Sequence, residues 1–91
     1  MLYMVIERFK DGDARPAYRR FRDKGRMLPK GLAYVNSWTT EDFATCYQVM
    51  ECAERALLDQ WIAAWQDIVD FEVHPVLASK EAAAEIAPKL D

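Results

Sequence analysis

Very few side chains in this sequence can do acid–base chemistry near neutral pH, and the two best suited lie in one short segment. His74 is the single histidine of the chain, and Glu72 stands two positions before it. A histidine can act as a general acid or base, and burial would raise the pKa of a glutamate toward the same range. A structural explanation also fits, in which His74 hydrogen-bonds at an interface and Glu72 forms an ion pair with Arg8. The sequence leaves both explanations open.

Metal and cofactor chemistry finds little support among the remaining residues. Cys46, Cys52 and His74 do not make a zinc-ligand set, and a haem would have one histidine as its axial ligand. We therefore expect neither a metal nor a cofactor. The two cysteines stand six positions apart in one predicted strand, which separates them by about 20 Å. A disulfide needs Cα atoms within about 7 Å, so both are predicted to be free thiols.

The charge distribution argues against nucleic acids as partners, and the short apolar runs argue against a membrane. The net charge is −3, with +5 in residues 1–30 and −8 in residues 31–91. A basic helix beside an acidic one attracts it within a single molecule, and the overall sign is wrong for binding phosphates. No apolar run approaches the length of a membrane span, and the first residues do not form a signal peptide. The sequence thus predicts a cytoplasmic localisation.

Hydrophobic periodicity predicts the order β-α-β-β-α-β within one domain that covers residues 1–91. The predicted strands are 2–9, 32–39, 44–52 and 69–78, the predicted main helices are 14–25 and 54–66, and a short Ala-rich helix covers 80–87. Two β-α-β halves of this kind form an α+β ferredoxin-like sandwich. Right-handed crossovers then place both main helices on one face of an antiparallel sheet with the strand order 4-1-3-2.

The alternation of side chains along each strand assigns residues to the two faces of this sheet. The face beneath the helices is predicted to hold Tyr3, Val5, Ala33, Val35, Ser37, Tyr47, Val49, Val69, Phe71 and Val73. Gln48 is assigned to the opposite face because an amide beneath the helices is costly without a partner. That uncovered face is then predicted to hold Met4, Ile6, Tyr34, Trp38, Met50 and Val76, together with Arg8, Asn36, Gln48, Glu72 and His74. An apolar surface of this size is unusual on a monomer, so the pattern predicts a homodimer that forms through this face.

Five segments of the chain resemble a family of short bacterial proteins of unknown function, and through it the dimeric α/β-barrel superfamily. They are Gly25-Arg26-Met27-Leu28-Pro29, Val35-Asn36-Ser37-Trp38, Cys46-Tyr47-Gln48-Val49-Met50-Glu51, Trp61-Ile62-Ala63-Ala64-Trp65 and Asp70-Phe71-Glu72-Val73-His74-Pro75-Val76. The resemblance implies a ferredoxin-like protomer whose sheet packs on a second sheet and encloses a cavity. It implies no catalytic residues, because the family has none assigned.

Three functions remain open at this point. The first is a small-molecule binding or accessory module with its ligand in the cavity between the two sheets. The second is a cofactor-free enzyme, similar to a monooxygenase or an isomerase, that acts through His74 and Glu72. The third is a purely structural dimer. For the first two, the predicted ligand-binding residues are Tyr34, Asn36, Trp38, Gln48, Glu72 and His74.

Overall fold

The structure, a computed structural model that describes residues 1–91, is built on one four-stranded antiparallel sheet. In chain order the elements are β1 (Leu2–Phe9), α1 (Arg15–Lys24), β2 (Ala33–Thr39), β3 (Thr45–Glu51), α2 (Arg55–Ala63), β4 (Val69–Val76) and α3 (Ser79–Ile86). The strand order is β2-β3-β1-β4, which is the predicted order read from the opposite edge. The predicted fold is therefore confirmed.

Helices α1 and α2 lie on one side of the sheet, which we call the inner face. The hydrophobic core lies between these helices and the inner face of the sheet. It consists mainly of Tyr3, Val5, Phe9, Ala17, Met50, Leu58, Trp61, Trp65 and Val69. Local chemistry sets the ends of α1. The carboxylate of Asp13 accepts a hydrogen bond from the Arg15 backbone N–H at 3.0 Å, and Gly25 ends the helix at φ 68°. Arg20 then ties α1 to the segment after α2 through a salt bridge of 2.7 Å to Asp67.

The predicted orientation of β3 is wrong. Met50 pairs with Tyr3 and Gln48 pairs with Val5, and cross-strand partners share a face of the sheet. Gln48 and Met50 are therefore buried on the inner face, whereas Tyr47 turns outward and is 41% exposed. The prediction failed because it treated the inner face as a closed apolar core, where an amide would have no hydrogen-bond partner.

The predicted orientation of β2 is right in its second half and wrong in its first. A bulge between Tyr34 and Asn36 inserts one extra residue opposite β3. Tyr34, opposite Met50, therefore lies on the inner face, although strict alternation from Trp38 places it on the outer face. Asn36 and Trp38 lie on the outer face as predicted, and Ser37 lies on the inner face. The bulge also leaves Val35 half exposed, not buried beneath the helices.

The outer face remains apolar although the orientations of β2 and β3 differ from the prediction. Tyr34 and Met50 lie on the inner face, and Tyr47 and Val49 take their places on the outer face. Met4, Ile6, Val76 and Trp38 lie where they were predicted, on the face that no helix of the chain covers. Trp38 is 57% exposed.

The two cysteines are buried free thiols, as predicted. Cys46 lies within β3 on the inner face, opposite Glu7, and Cys52 directly follows the strand.

Helix α3 extends from the end of β4, and its side chains are exposed apart from the partly covered Ala82. The chain as a whole measures 51 × 31 × 17 Å. None of the helices has the length and apolar character needed to cross a membrane.

A matched pair of methionine substitutions tests the corrected faces of the sheet. Met50 is fully buried on the inner face, whereas Met4 is partly exposed on the outer face. We expect Met50→Ala to lower the free energy of unfolding by about 2–5 kcal/mol. Met4→Ala should cost less than about half of that, when urea denaturation is followed at low protein concentration. Equal costs for the two substitutions would contradict the orientation of β3.

Candidate functional site

Three charged or titratable side chains meet on the outer face. The Arg8 guanidinium donates to Glu72 Oε1 at 2.9 Å, and His74 Nε2 donates to Glu72 Oε2 at 2.5 Å. Antiparallel pairing of β1 with β4 brings the three together, with Ile6 directly opposite Glu72 and Met4 directly opposite His74. The ion pair between Arg8 and Glu72 that the sequence suggested is thus present.

The environment of Glu72 makes it a poor base. The hydrogen bond from His74 lowers the pKa of Glu72, and the hydrogen bond from Arg8 lowers it further. The side chain is 43% exposed within one chain, so little desolvation opposes these contacts. The hypothesis that burial raises the pKa of Glu72 is therefore wrong for this chain.

The other predicted site residues of the outer face lie at the opposite edge of the sheet. Asn36 and Trp38 belong to β2, whereas Glu72 and His74 belong to β4, and β3 and β1 lie between these edge strands. Three strand spacings separate the two groups by about 14 Å. The Asn36 amide oxygen also accepts the Ser37 backbone N–H at 2.8 Å. Within one chain these residues do not converge on a common ligand.

Gln48 and Tyr34, the remaining predicted site residues, lie on the inner face of the sheet, and Gln48 lines a different site there. A cavity of about 100 Å³ lies between the inner face and the helices, and it is partly open to solvent. We call it the inner cavity. Its polar lining consists of Glu7, Arg26, Ser37, Thr39, Cys46 and Gln48. Its apolar lining is largely aromatic and consists of Phe9, Tyr18, Phe21, Trp61 and Trp65, with Ala17.

Glu7 and Gln48 form the floor of the inner cavity from the two central strands. They are 8% and 5% exposed, and they face the cavity from β1 and β3. Gln48 donates its amide to the sulfur of Met50 at 3.0 Å, which is a weak acceptor. Glu7 forms no salt bridge with any residue of the chain. Both side chains therefore keep hydrogen-bonding capacity for a molecule in the cavity.

Burial brings Glu7 close to half ionisation at neutral pH. Desolvation raises the pKa of Glu7 from its ordinary 4.5 to about 7, against smaller lowering effects from the Cys46 thiol and the charge of Arg26. Desolvation also raises the pKa of the Cys46 thiol, and the neighbouring Glu7 raises it further. The cavity thus contains a carboxyl group that can accept or donate a proton near pH 7, beside a thiol that stays protonated.

Arg26 is held at the cavity by stacking and by its backbone. Its guanidinium lies 3.7 Å from the centre of the Tyr34 ring and 4.8 Å from that of Phe21. Its carbonyl oxygen accepts the indole N–H of Trp61 at 2.9 Å and that of Trp65 at 3.1 Å. No carboxylate of the chain forms a salt bridge with this guanidinium. Its charge is therefore available to a ligand.

Three members of this site, Glu7, Arg26 and Cys46, were not predicted from the sequence. One signal was available for Glu7, because alternation from Tyr3 and Val5 places it on the inner face. A carboxylate on that face has to be paired, protonated or next to a cavity. Arg26 carried no such signal, since it follows the helix and looked like the end of a basic surface.

No group of three or more histidine, cysteine, aspartate or glutamate side chains in the structure is arranged to hold a metal ion.

Comparisons with known proteins identify the family of this chain. Residues 1–90 match the model of a family described as a domain of unknown function, DUF3303. Among solved structures, Rv0793 from Mycobacterium tuberculosis is similar at 17% identity and a TM-score of 0.49, over 85% of this chain and 95% of that one. Atu4242 from Agrobacterium tumefaciens is similar at 14% identity and a TM-score of 0.48, over 85% of this chain and 94% of that one. A search of curated proteins finds no match.

The raised pKa of Glu7 predicts an unusual dependence of stability on pH. Glu7 ionises near pH 4.5 in the unfolded chain and near pH 7 in the folded one, so the folded state holds more protons between these values. The free energy of unfolding should fall by up to about 3 kcal/mol as the pH rises through this window, and the contribution should level off above it. Urea denaturation as a function of pH measures this.

Glu7→Gln should remove that slope and should stabilise the chain near pH 8 by up to about 3 kcal/mol. Glu81→Gln on the exposed α3 is the matched control and should follow the wild-type profile. A Glu7→Gln profile that coincides with wild type would mean that Glu7 titrates normally.

Proposed function

Because the chain belongs to the DUF3303 family, a domain of unknown function, we propose its function from its own geometry: it is a small-molecule binding module whose ligand occupies the inner cavity. One observation carries the proposal. Glu7 and Gln48, both more than nine-tenths buried, line an open cavity without strong partners in the chain. The proposed ligand lies beneath the helices of each chain, whereas the sequence pattern predicted a ligand between two sheets.

Burial of Glu7 costs the folded chain free energy, because desolvation disfavours the ionised carboxylate. A sequence selected for stability alone would place an apolar residue on the central strand at position 7, as at positions 3, 5 and 9. A residue that lowers the stability of the fold and lines a cavity is typical of a binding or catalytic site.

The size of the cavity limits the ligand. About 100 Å³ is well below the roughly 300–1,000 Å³ of pockets that enclose drug-sized molecules. The inner cavity can hold a small molecule, or the polar end of a larger one that projects through the open side. Its aromatic walls, which include Trp61 and Trp65, suit a flat ligand.

Indole fluorescence offers a direct test of binding. In a Trp38→Phe background the two remaining tryptophans both line the inner cavity. Titration with a panel of small hydroxylated and carbonyl aromatics should change their emission with saturation. Gln48→Leu, which removes the amide from the floor, should weaken binding about tenfold or more.

Asn36→Leu is the matched control for that change, because it removes an amide from the outer face, and it should bind as the background protein does. If no compound of the panel changes the emission, and native mass spectrometry finds no co-purified ligand, the binding proposal is wrong.

We also propose that the module acts as a homodimer through the outer face. Met4, Ile6, Val49, Tyr47, Trp38 and Val76 lie on this face, and no element of the chain covers them. Burial of each large side chain contributes on the order of 1.5–3 kcal/mol, so several of them offset an association cost of roughly 4–15 kcal/mol. A two-fold axis would place the same face of each protomer against the other.

A charge on the outer face tests the dimer. Trp38→Asp should give a monomer near the chain mass of 10.5 kDa in sedimentation at micromolar concentration, because it buries an unpaired carboxylate at the interface. Arg19→Asp on the exposed side of α1 changes charge without touching that face and should remain dimeric. A wild-type chain that sediments as a monomer would contradict the proposal.

An enzyme in which His74 is the acid–base group and Glu72 orients its ring is a second candidate, favoured by their hydrogen bond. The purely structural dimer has weaker support, because a chain whose only task is to associate has no need for Glu7 in an open cavity.

A further inference from the structure

The charges around the inner cavity are few and can be counted. Its titratable lining residues are Glu7 from β1, Cys46 from β3, Arg26 from the segment after α1, and Tyr18 from α1. Helix α2 contributes Trp61, the turn after it contributes Trp65, and β4 places Phe71 opposite Glu7, so none of these elements adds a charge. The Tyr18 hydroxyl is engaged with Thr39 Oγ1 at 2.9 Å. The cavity therefore has one permanent cation and one group that exchanges protons near neutrality.

We infer that Glu7 is the proton acceptor of this cavity and that the ligand is a planar compound with an acidic, phenol- or enol-type hydroxyl. This inference rests on the proposed function, because it assigns the chemistry of the ligand that the inner cavity binds. The floor of the cavity offers a carboxyl and an amide side by side on adjacent strands, with Val5 and Gln48 directly paired. The indoles and phenyl rings form the walls above that floor.

The polar and aromatic parts of the cavity match the two parts of such a ligand. A ring packs well against Trp61 and Trp65, which bury large apolar areas. A hydroxyl at its edge can donate to Glu7 and accept from the Gln48 amide. A carboxylic acid ligand fits less well, because it is already ionised near neutral pH and brings no proton for Glu7 to accept.

The proton balance follows from the single cation. When the ligand binds, the hydroxyl O–H bond breaks, an O–H bond forms on the Glu7 carboxylate, and the negative charge moves to the ligand oxygen. The complex then holds one proton and one negative charge between the two oxygens, and Arg26 supplies the balancing positive charge. If Glu7 and the ligand were both ionised, Arg26 would balance only one of the two negative charges. Binding is therefore coupled to the uptake or release of a proton.

The probe that tests this is 4-nitrophenol, whose hydroxyl ionises near neutrality and whose anion is yellow. Near pH 8 both free Glu7 and the free probe are mostly ionised, so binding to wild type should take up close to one proton per site. Near pH 6 both are mostly protonated, and binding should release a proton. Calorimetric titration in two buffers of different ionisation enthalpy measures the proton number and its sign.

Glu7→Gln is the decisive variant. It preserves shape and, by the stability argument above, should fold at least as well at neutral pH, which near-UV circular dichroism checks. Near pH 8 it should bind the phenolate without proton uptake, because no second carboxylate needs to be neutralised. Glu41→Gln in the exposed turn between β2 and β3 is the matched control and should take up a proton as wild type does.

Arg26→Met tests the cation independently. Methionine preserves an apolar stem beside Tyr34 and Phe21 but removes the charge. Loss of a charge-assisted contact should weaken probe binding about tenfold or more near pH 8. Unchanged affinity would overturn the assignment of Arg26 as the balancing charge.

The outcomes separate this inference from the proposed function. If wild type binds the probe near pH 8 without proton uptake, or if Glu7→Gln takes up the same proton, Glu7 is not the acceptor and the inference is wrong. If other compounds of the panel bind but 4-nitrophenol does not, the ligand class is wrong while the binding module stands. If nothing binds, both fall together.

Discussion

The central strand β1 determines which groups face each other throughout this molecule. It pairs with β3 on one side and with β4 on the other. Because paired residues share a face of the sheet, the alternation of side chains along β1 fixes which side chains of β3 and β4 point to each face. Tyr3, Val5 and Phe9 on the inner face anchor the two helices, and Glu7 has to point the same way as they do. A one-residue slip would bury Arg8 beneath the helices and expose the core residues. The buried carboxyl is thus as strongly specified as the hydrophobic core.

Two tryptophans, one in α2 and one in the turn that follows it, connect this strand to the rest of the cavity. Trp61 and Trp65 pack over the sheet at helical spacing, and both indoles donate to the carbonyl of Arg26. The segment after α1 is therefore fixed by α2, although it contains no regular secondary structure. The guanidinium of Arg26 stacks on rings from α1 and β2, which limits its freedom further. The lining of the cavity comes from five elements, β1, α1, β2, β3 and α2, and it is positioned before any ligand arrives, which lowers the entropic cost of binding.

The fold was predictable from the sequence because period-two and period-3.6 patterns and turn residues agree along the chain. The faces of β1 and β4 followed from the same patterns, since Val5, Phe71 and Val73 can only pack beneath the helices. The site was not predictable to the same degree. A bulge at Val35 leaves no mark in a single sequence, and it moves Tyr34 to the other face. Gln48 was misplaced because a cavity that receives an amide is a property of packing, which strand alternation does not encode.

The distribution of the three tryptophans gives this small domain a built-in spectroscopic reference. Two indole N–H groups share the Arg26 carbonyl at the inner cavity, whereas the third indole, that of Trp38, lies on the opposite face of the sheet. In a nitrogen-15 NMR spectrum the three indole signals fall in a region clear of the backbone amides. Occupation of the cavity would shift two of them together through their common acceptor, while self-association would act on the third. A single spectrum can thus separate two events on opposite sides of one sheet.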